Sequence, residues 1–195
     1  SKIALISDAG SPLISDPGYK LVKDFINKNI LITSIPGPSS LITSLQVSGL
    51  PINKFTFYGF VPKQKTRKRS FLEEIAESKF TSVFFVAGRH LENLVSDIVE
   101  LLNVREIAIC KELTKLNEMI FRGTAIDIYN QIRGKNFNFK GEFVIIVSAS
   151  SKKNIRKLNT LVQKQIVKLL KKYSLTETVQ IVHNLTKISK KEIYK

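Results

Sequence analysis

Two loops near the start of the chain carry residue types suited to binding a small molecule. Residues 7–18, SDAGSPLISDPG, follow one short apolar run, and residues 35–40, IPGPSS, follow another. Glycine, proline and serine interrupt a strand, and small side chains leave backbone N–H groups open to a ligand. The alternative for the first loop is a surface turn with a helix cap at Ser15 or Asp16.

Alternating strands and helices must position these loops. Apolar runs predict strands at 3–6, 30–34, 54–60, 82–87, 105–111 and 142–147, and helices at 17–28, 39–48, 67–78, 90–102 and 124–133. This alternation is typical of an α/β fold, and a strand at 118–122 antiparallel to 105–111 predicts a mixed sheet. In open sheets of this class, ligands bind at the carboxyl ends of the strands.

The chain divides into three predicted parts. Residues 1–51 read as the C-terminal part of an incomplete N-terminal α/β domain, and residues 52–148 as a second α/β domain with a mixed sheet. A polar linker at 148–154 precedes a helical tail, 155–195, whose last two helices resemble a helix-turn-helix. The lysines of this tail favour nucleic-acid binding, and the alternative is a tail that packs on the body.

Composition narrows the class of partner. Thirty-one Lys and Arg residues against sixteen Asp and Glu residues give a net charge of +15, which favours a partner rich in phosphates. The sequence has no apolar run long enough for a membrane span and no Cys/His cluster with metal-ligand spacing, so neither a membrane nor a metal is expected. The single cysteine, Cys110, rules out a disulfide within the chain, favours the cytoplasm and is predicted to be a core residue.

Five segments carry a family resemblance. IALISDAGSPLISDPGYKLV, SIPGPSSLITSLQVSGLP, FYGFVPKQKTRKRSFLEE, REIAICKELTKLNEMIFRGT and KGEFVIIV occur in family order. The chain resembles the ribosomal RNA small-subunit methyltransferase I family, a branch of the tetrapyrrole methylase superfamily. The resemblance implies S-adenosylmethionine (SAM) as methyl donor and a cytidine 2′-hydroxyl of 16S rRNA in the small ribosomal subunit as acceptor. It also implies a homodimer, and a further N-terminal portion that family members carry upstream of residue 1.

The resemblance also assigns roles to single residues. The cofactor-binding positions carried over by motif are Ala9, Gly10, Ser11, Ile14, Ser39, Ser40, Val86, Gly123 and Glu142. Methyl transfer to a hydroxyl needs in-line positioning and a group that accepts the hydroxyl proton. The candidates for that proton acceptor are Asp8 and Glu112, with Asp16 and His90 as further possibilities.

A basic segment follows the aromatic-rich strand at 54–60. Five of its seven residues are cationic: Lys63, Lys65, Arg67, Lys68 and Arg69. With the family resemblance and the total charge, this segment predicts contact with RNA phosphates, and the alternative is a solvated loop. Single-stranded RNA could also stack on an exposed ring such as Tyr58, unless that ring belongs to the core.

Two other functions stay open at this stage. One is a small-molecule methylase acting on a tetrapyrrole, against which the basic segment and the helical tail argue. The other is a noncatalytic RNA-binding remnant. The stretch VAGRH at 86–90, where the family usually has a Glu-Ser-x-His-Arg-like stretch, lacks the acidic residue and favours this second alternative.

Overall fold

The computed structural model describes residues 2–133, 137–150, 160–186, 188 and 190–194. The chain forms two units, Ser1–Ser150 and Ser151–Lys195. The first contains a five-stranded mixed sheet with helices, and the second is helical, which confirms the predicted α/β class with C-terminal helices. The boundary predicted at residue 51 stays a prediction, and the predicted linker beyond Ser150 lies outside the described residues.

The elements follow the predicted order closely. The strands are β1 Phe55–Phe60, β2 Thr81–Ala87, β3 Glu106–Lys111, β4 Met119–Thr124 and β5 Glu142–Val147. The helices of the first unit are α1 Tyr19–Asn27, α2 Ser40–Ser48, α3 Lys65–Glu77, α4 Leu91–Leu102 and α5 Ala125–Ile132. Those of the second unit are α6 Thr160–Leu169, α7 Leu175–Thr186 and α8 Lys190–Ile193.

The strand order brings most functional candidates to one edge of the sheet. The order is β1-β2-β5-β3-β4, with β1 parallel to β2 and every other neighbouring pair antiparallel. The C-terminal ends of β1, β2 and β3 therefore lie beside the N-terminal ends of β4 and β5. We call this end of the strands the loop edge and the other end of the strands the opposite edge; neither term refers to the outer strands β1 and β4.

Alternation along the strands creates two apolar faces. The larger face packs under α3, α4 and α5, with Phe84, Ile109 and Ile145 among its fully buried strand residues. The smaller face, with Val83 and Ile146, packs against Leu45 of α2. Because α2 is a single short helix, it does not cover the whole of this smaller face. Aromatic rings on β1 and β2 therefore stay partly exposed there.

Two predicted strands are corrected by the structure. Residues 3–6 and 30–34 have no strand pairing, and their side chains are exposed, with Ile6 at 85% and Leu31 at 93% of full exposure. A strand is stabilised by hydrogen bonds to a neighbour and by burial of a face, and these two segments have neither in the described part of the chain. The helices predicted after them do form, as α1 and α2.

One arginine joins three elements at the opposite edge. Arg105 donates from Nε and Nη2 to the carbonyl of Ser148, at 3.1 and 2.7 Å, just after β5. It also donates to the last carbonyls of α3, at Ala76 (3.2 Å) and Ile75 (3.3 Å). A cation at a helix C-terminus satisfies carbonyls that have no partner within the helix.

Replacing Arg105 with alanine is expected to lower the free energy of unfolding by about 2–3 kcal/mol, because several partly buried carbonyls lose a charged donor. Urea denaturation measures the change. Arg133→Ala is the control, since this side chain is exposed and lies over the Tyr129 ring, with 5.4 Å between the guanidinium carbon and the ring centroid. Equal stability of the two variants would contradict the structural role of Arg105.

The second unit is a small helical assembly with its own core. Val179, Val182, Ile188 and Ile193 are buried together. Helix α7 begins in a capping box: Glu177 N–H donates to Ser174 Oγ at 3.3 Å, and Ser174 N–H donates to Glu177 Oε2 at 3.0 Å.

Candidate functional site

Strained backbone is concentrated in two loops of the first unit. Five of the described non-glycine residues have positive φ, and four of them lie in residues 7–18 and 111–118: Leu13 (71°), Ser15 (59°), Glu112 (46°) and Thr114 (66°). Such conformations cost of order 1–3 kcal/mol each and occur most often at functional sites. The first loop is the one that the sequence singled out, and the second contains the proton-acceptor candidate Glu112.

The two glycine- and serine-rich loops touch each other. Ser11 Oγ donates to the carbonyl of Pro38 at 3.3 Å, just ahead of Ser39 and Ser40 at the start of α2. Ser7 Oγ donates to Asp16 Oδ2 at 2.6 Å and closes the first loop. Asp16 therefore stabilises the turn and does not cap α1, whose N-cap is Gly18 without a side-chain hydrogen bond.

The second strained loop is tied to the start of β5. Glu112 Oε1 accepts from the Glu142 N–H at 2.8 Å and from Lys115 Nζ at 3.2 Å. Lys115 Nζ also contacts Glu142 Oε2 at 3.2 Å. The hydrogen bond from Glu142 N–H, followed by that from Lys115, lowers the pKa of Glu112. A lower pKa favours the charged carboxylate and weakens it as a proton acceptor.

The acid stability of the protein is expected to depend on Glu112. Because its folded-state pKa lies below the unfolded value of about 4.3, its contribution is present above that pH and is lost as the pH falls through the folded pKa. The stability difference between the protein and Glu112→Gln, measured by urea unfolding, should shrink as the pH falls below about 4.3. Glu106→Gln, at the start of β3, is the control, and the same pH dependence in both variants would contradict this role.

A buried lysine holds the segment before β5 in place. Lys111, 3% exposed, donates to the carbonyl of Asn138 at 2.7 Å. Its ammonium also lies 5.6 Å from the Phe137 ring centroid and 5.9 Å from that of Phe143. Contacts of a cation with ring faces compensate part of its lost hydration. Sequence reasoning missed Lys111, whose only sequence signal is a cation that ends an apolar strand.

Two cavities at the loop edge share this segment. One, of about 340 Å³, is lined by Lys111, Glu118 and Phe137 among others. The other, of about 560 Å³, is lined by Ala87, Arg89, Phe139, Lys140 and Gly141 among others. Both volumes fall in the range of small-molecule sites, roughly 300–1,000 Å³. The second cavity offers two cations beside an aromatic ring, which suits a ligand with a carboxylate and a flat heterocycle.

None of the predicted site residues is among those that line these two cavities, and three of them lie in quite different surroundings. Val86 is 4% exposed in the core under the helices, because strand alternation places its side chain on the helix-covered face of the sheet. Its neighbour Ala87 lines the larger cavity. Gly123 was expected in a closing loop, but it lies within β4, paired with Ile107 near the opposite edge. His90 is exposed and accepts a hydrogen bond on Nε2 from Arg89 Nε at 3.2 Å.

The remaining candidates are exposed in the first loop or at the start of β5. Asp8, Ala9, Gly10 and Ile14 are exposed, and so is Glu142. The ring of Tyr58, considered above for stacking, packs instead on Phe71 of α3, with 5.5 Å between ring centroids. Burial, and next the charge of Glu74, raise the pKa of Tyr58. Cys110 is 1% exposed, and burial raises the pKa of its thiol to about 11, which confirms it as a core residue.

The basic segment divides into paired and unpaired cations. Lys68 Nζ lies 2.5 Å from Asp97 Oδ2, and Arg69 pairs with Glu73 (3.1 Å) and Glu100 (3.9 Å). Lys63, Lys65 and Arg67 are exposed and have no carboxylate partner among the described residues. These three cations follow β1 at the loop edge, so the positive charge available to a ligand lies beside the candidate site.

Comparison with known proteins decides the family. The family model for Tetrapyrrole (Corrin/Porphyrin) Methylases matches residues 1–129. The chain belongs to the tetrapyrrole methylase family. The crystal structure of the methyltransferase CobJ has a fold related to that of this chain. The two superpose with a TM-score of 0.50 at 14% identity, over 73% of this chain and 62% of CobJ.

Named relatives of this methylase chain are similar over more of its length. The ribosomal RNA small subunit methyltransferase I of Rickettsia prowazekii is 38% identical over 98% of the chain and 68% of its own length. Those of Xylella fastidiosa and Halalkalibacterium halodurans are 39% and 42% identical over 88% and 77% of the chain. The chain spans 62% and 52% of the length of these last two proteins.

Two further features of the methylase chain concern membranes and metal ions. Among the residues that the structure describes, no helix has the length and apolar character needed to cross a membrane. Within the same residues, no three His, Cys, Asp or Glu side chains are grouped so that they could hold a metal ion.

Proposed function

We propose that this chain methylates the 2′-hydroxyl of a cytidine in small-subunit rRNA, with SAM as methyl donor. The observation that carries the proposal is how far along the chain each similarity to known proteins extends. The tetrapyrrole methylase model stops at residue 129, whereas the similarity to the rRNA methyltransferase of R. prowazekii covers 98% of the chain. The unpaired cations at the loop edge also favour an RNA acceptor over a tetrapyrrole.

The residues at the loop edge fit SAM. SAM supplies a methyl group on a positively charged sulfur. The N–H groups and hydroxyls of residues 9–11 and of Ser39 and Ser40 suit its carboxylate, as do Arg89 and Lys140 of the larger cavity. Phe139 suits the adenine ring. Glu112 is engaged by Lys115 and the Glu142 N–H, so we propose Asp8 as the group that accepts the hydroxyl proton.

The test is a calorimetric titration of SAM into the chain, with circular dichroism as a folding control, followed by transfer of tritiated methyl groups. Saturable SAM binding and label on a cytidine 2′-hydroxyl of unmodified small ribosomal subunits are expected. Label on a tetrapyrrole instead would support the small-molecule alternative. Binding of rRNA without binding of SAM by the folded chain would support a noncatalytic remnant.

A pair of variants on α2 tests the position of the SAM site. Ser40 begins this helix beside the two loops, and Gln46 is exposed near its other end. Ser40→Trp is expected to abolish the heat of SAM binding because the indole fills the space at the loops. Gln46→Trp should bind SAM as the unmodified chain does. Loss of binding in both variants would show that the effect is not specific to the loops.

A homodimer in the cytoplasm is part of the same proposal. The large apolar side chains exposed in the first unit support a subunit contact: Ile3 at 75%, Ile6 at 85%, Leu31 at 93% and Ile35 at 90%. The rRNA substrate of the named relatives supports a cytoplasmic protein. Light scattering during size-exclusion chromatography measures the mass, and a concentration-independent monomer would remove the dimer from the proposal.

A further inference from the structure

The ring of Phe60 is unusual for its size and position. It is 61% exposed and is the last residue of β1, an outer strand of the sheet, at the loop edge. Its ring contacts Phe85 of β2 in an edge-to-face arrangement, with 5.4 Å between centroids. Phe85 in turn contacts Phe57 at 4.9 Å. The exposed ring therefore packs on Phe85, which is itself positioned by Phe57.

A β-bulge determines on which face of the sheet this ring lies. Phe57 pairs with Val83 and Phe60 pairs with Phe85, so three steps along β1 match two steps along β2. Without the extra residue, Phe60 would lie on the face opposite Phe57, among the helices. Gly59 provides the bulge at φ +68°, a conformation that side-chain-bearing residues adopt only with strain. Bulges that redirect a side chain are frequent next to active sites.

The surroundings of Phe60 indicate what the ring binds. The first strained loop approaches the preceding residue: a Cβ built on Gly59 would be 3.4 Å from Ser15 Oγ. The unpaired cations Lys63, Lys65 and Arg67 follow Phe60 within seven residues along the chain. The ring thus lies near the loop proposed to hold SAM and, along the chain, near the charges proposed to hold phosphates. A nucleotide held by these cations would have its base next to Phe60.

We infer that Phe60 is the stacking platform for a base of single-stranded RNA at the methylation site. This inference rests on the proposed function and adds the residue that holds the base. Stacking on an aromatic ring accepts any base, because every base has a π-face. The cations then supply affinity for the backbone, and the ring sets the position of the nucleotide relative to the methyl donor.

The test separates base stacking from phosphate contact. Fluorescence anisotropy of the full chain measures binding of a short oligocytidylate RNA and of an abasic oligomer of equal length and charge. Phe60→Leu is expected to weaken binding of oligocytidylate by about tenfold and to leave the abasic oligomer unaffected. Phe60→Tyr should keep the affinity of the unmodified chain. Phe55→Leu is the matched control, since Phe55 is 39% exposed on the same face of β1 at the opposite edge.

Each outcome decides a separate question. Unchanged binding of oligocytidylate by Phe60→Leu, or equal weakening of both oligomers, would overturn the stacking role while the proposed function stands. An equal effect of Phe55→Leu would likewise overturn it, because the effect would then not depend on position. If the unmodified chain binds neither oligomer, nor small-subunit rRNA, the proposed function itself fails and the inference falls with it.

Discussion

Replacing Gly88 with alanine is expected to lower the free energy of unfolding by about 3 kcal/mol. A Cβ at this buried glycine would lie 1.7 Å from the carbonyl oxygen of Phe139 and 3.0 Å from the Phe143 ring. The nearest atom is backbone, so relief requires the segment 137–141 to move. Urea denaturation measures the loss of stability.

The same change should weaken SAM binding. Gly88 N–H donates to the carbonyl of Gly141 at 3.1 Å, and residues 137–141 line the larger cavity at the loop edge. Displacing this segment alters the cavity that we propose for SAM, and calorimetry measures the lost affinity. Gly37→Ala is the control, because a Cβ there has open space around it. Equal stability of both variants would contradict the close approach at Gly88.

Reversing the charge of Lys65 and Arg67 is expected to lower the affinity for small-subunit rRNA by about 100-fold at low salt. These exposed cations have no carboxylate partner in the described part of the chain, so their charge is available to phosphates. Removing two phosphate contacts should also reduce the slope of log affinity against log salt by about 1.4. Filter binding over a range of salt concentrations measures both quantities.

The matched control reverses two cations at the opposite edge. Lys54 and Lys79 are exposed beside the start of β1 and the start of β2. Both double variants lower the net charge of +15 by four units, so they differ only in where the charge changes. Lys54→Glu/Lys79→Glu should lose far less affinity. Equal losses would show that RNA responds to total charge, which would contradict a binding surface at residues 63–67.

The internal ion pairs change the prediction made for the whole basic segment. Lys68 and Arg69 are adjacent to the unpaired cations in sequence, yet they face acidic residues on α3 and α4. A helix places residues three or four positions apart on one face, and the sequence alone does not show which face meets α4. We therefore propose that the three unpaired cations carry most of the RNA contact, and the five-residue set stays a prediction.

Local patterns determined most elements of this protein. Helices α2 to α5 and strands β1 to β5 lie within two residues of the predicted bounds, since apolar periodicity and helix-breaking residues act over short range. The same holds for the two glycine- and serine-rich loops, because glycine, proline and serine set turn geometry locally. Residues 3–6 and 30–34 have the apolar pattern of strands, but strand formation depends on a partner that the pattern does not contain.

Only the tertiary structure decided which side chains meet. The bulge at Gly59 turns Phe60 rather than Tyr58 to the open face, and strand alternation buries Val86 while Ala87 lines the cavity. The contact between Lys111 and Asn138 joins residues far apart in sequence. The sequence by itself determined the α/β class, the position along the chain of the two glycine- and serine-rich loops, and the excess of positive charge. Register, side-chain direction and ion pairing depend on strand order and packing, and these are properties of the whole fold.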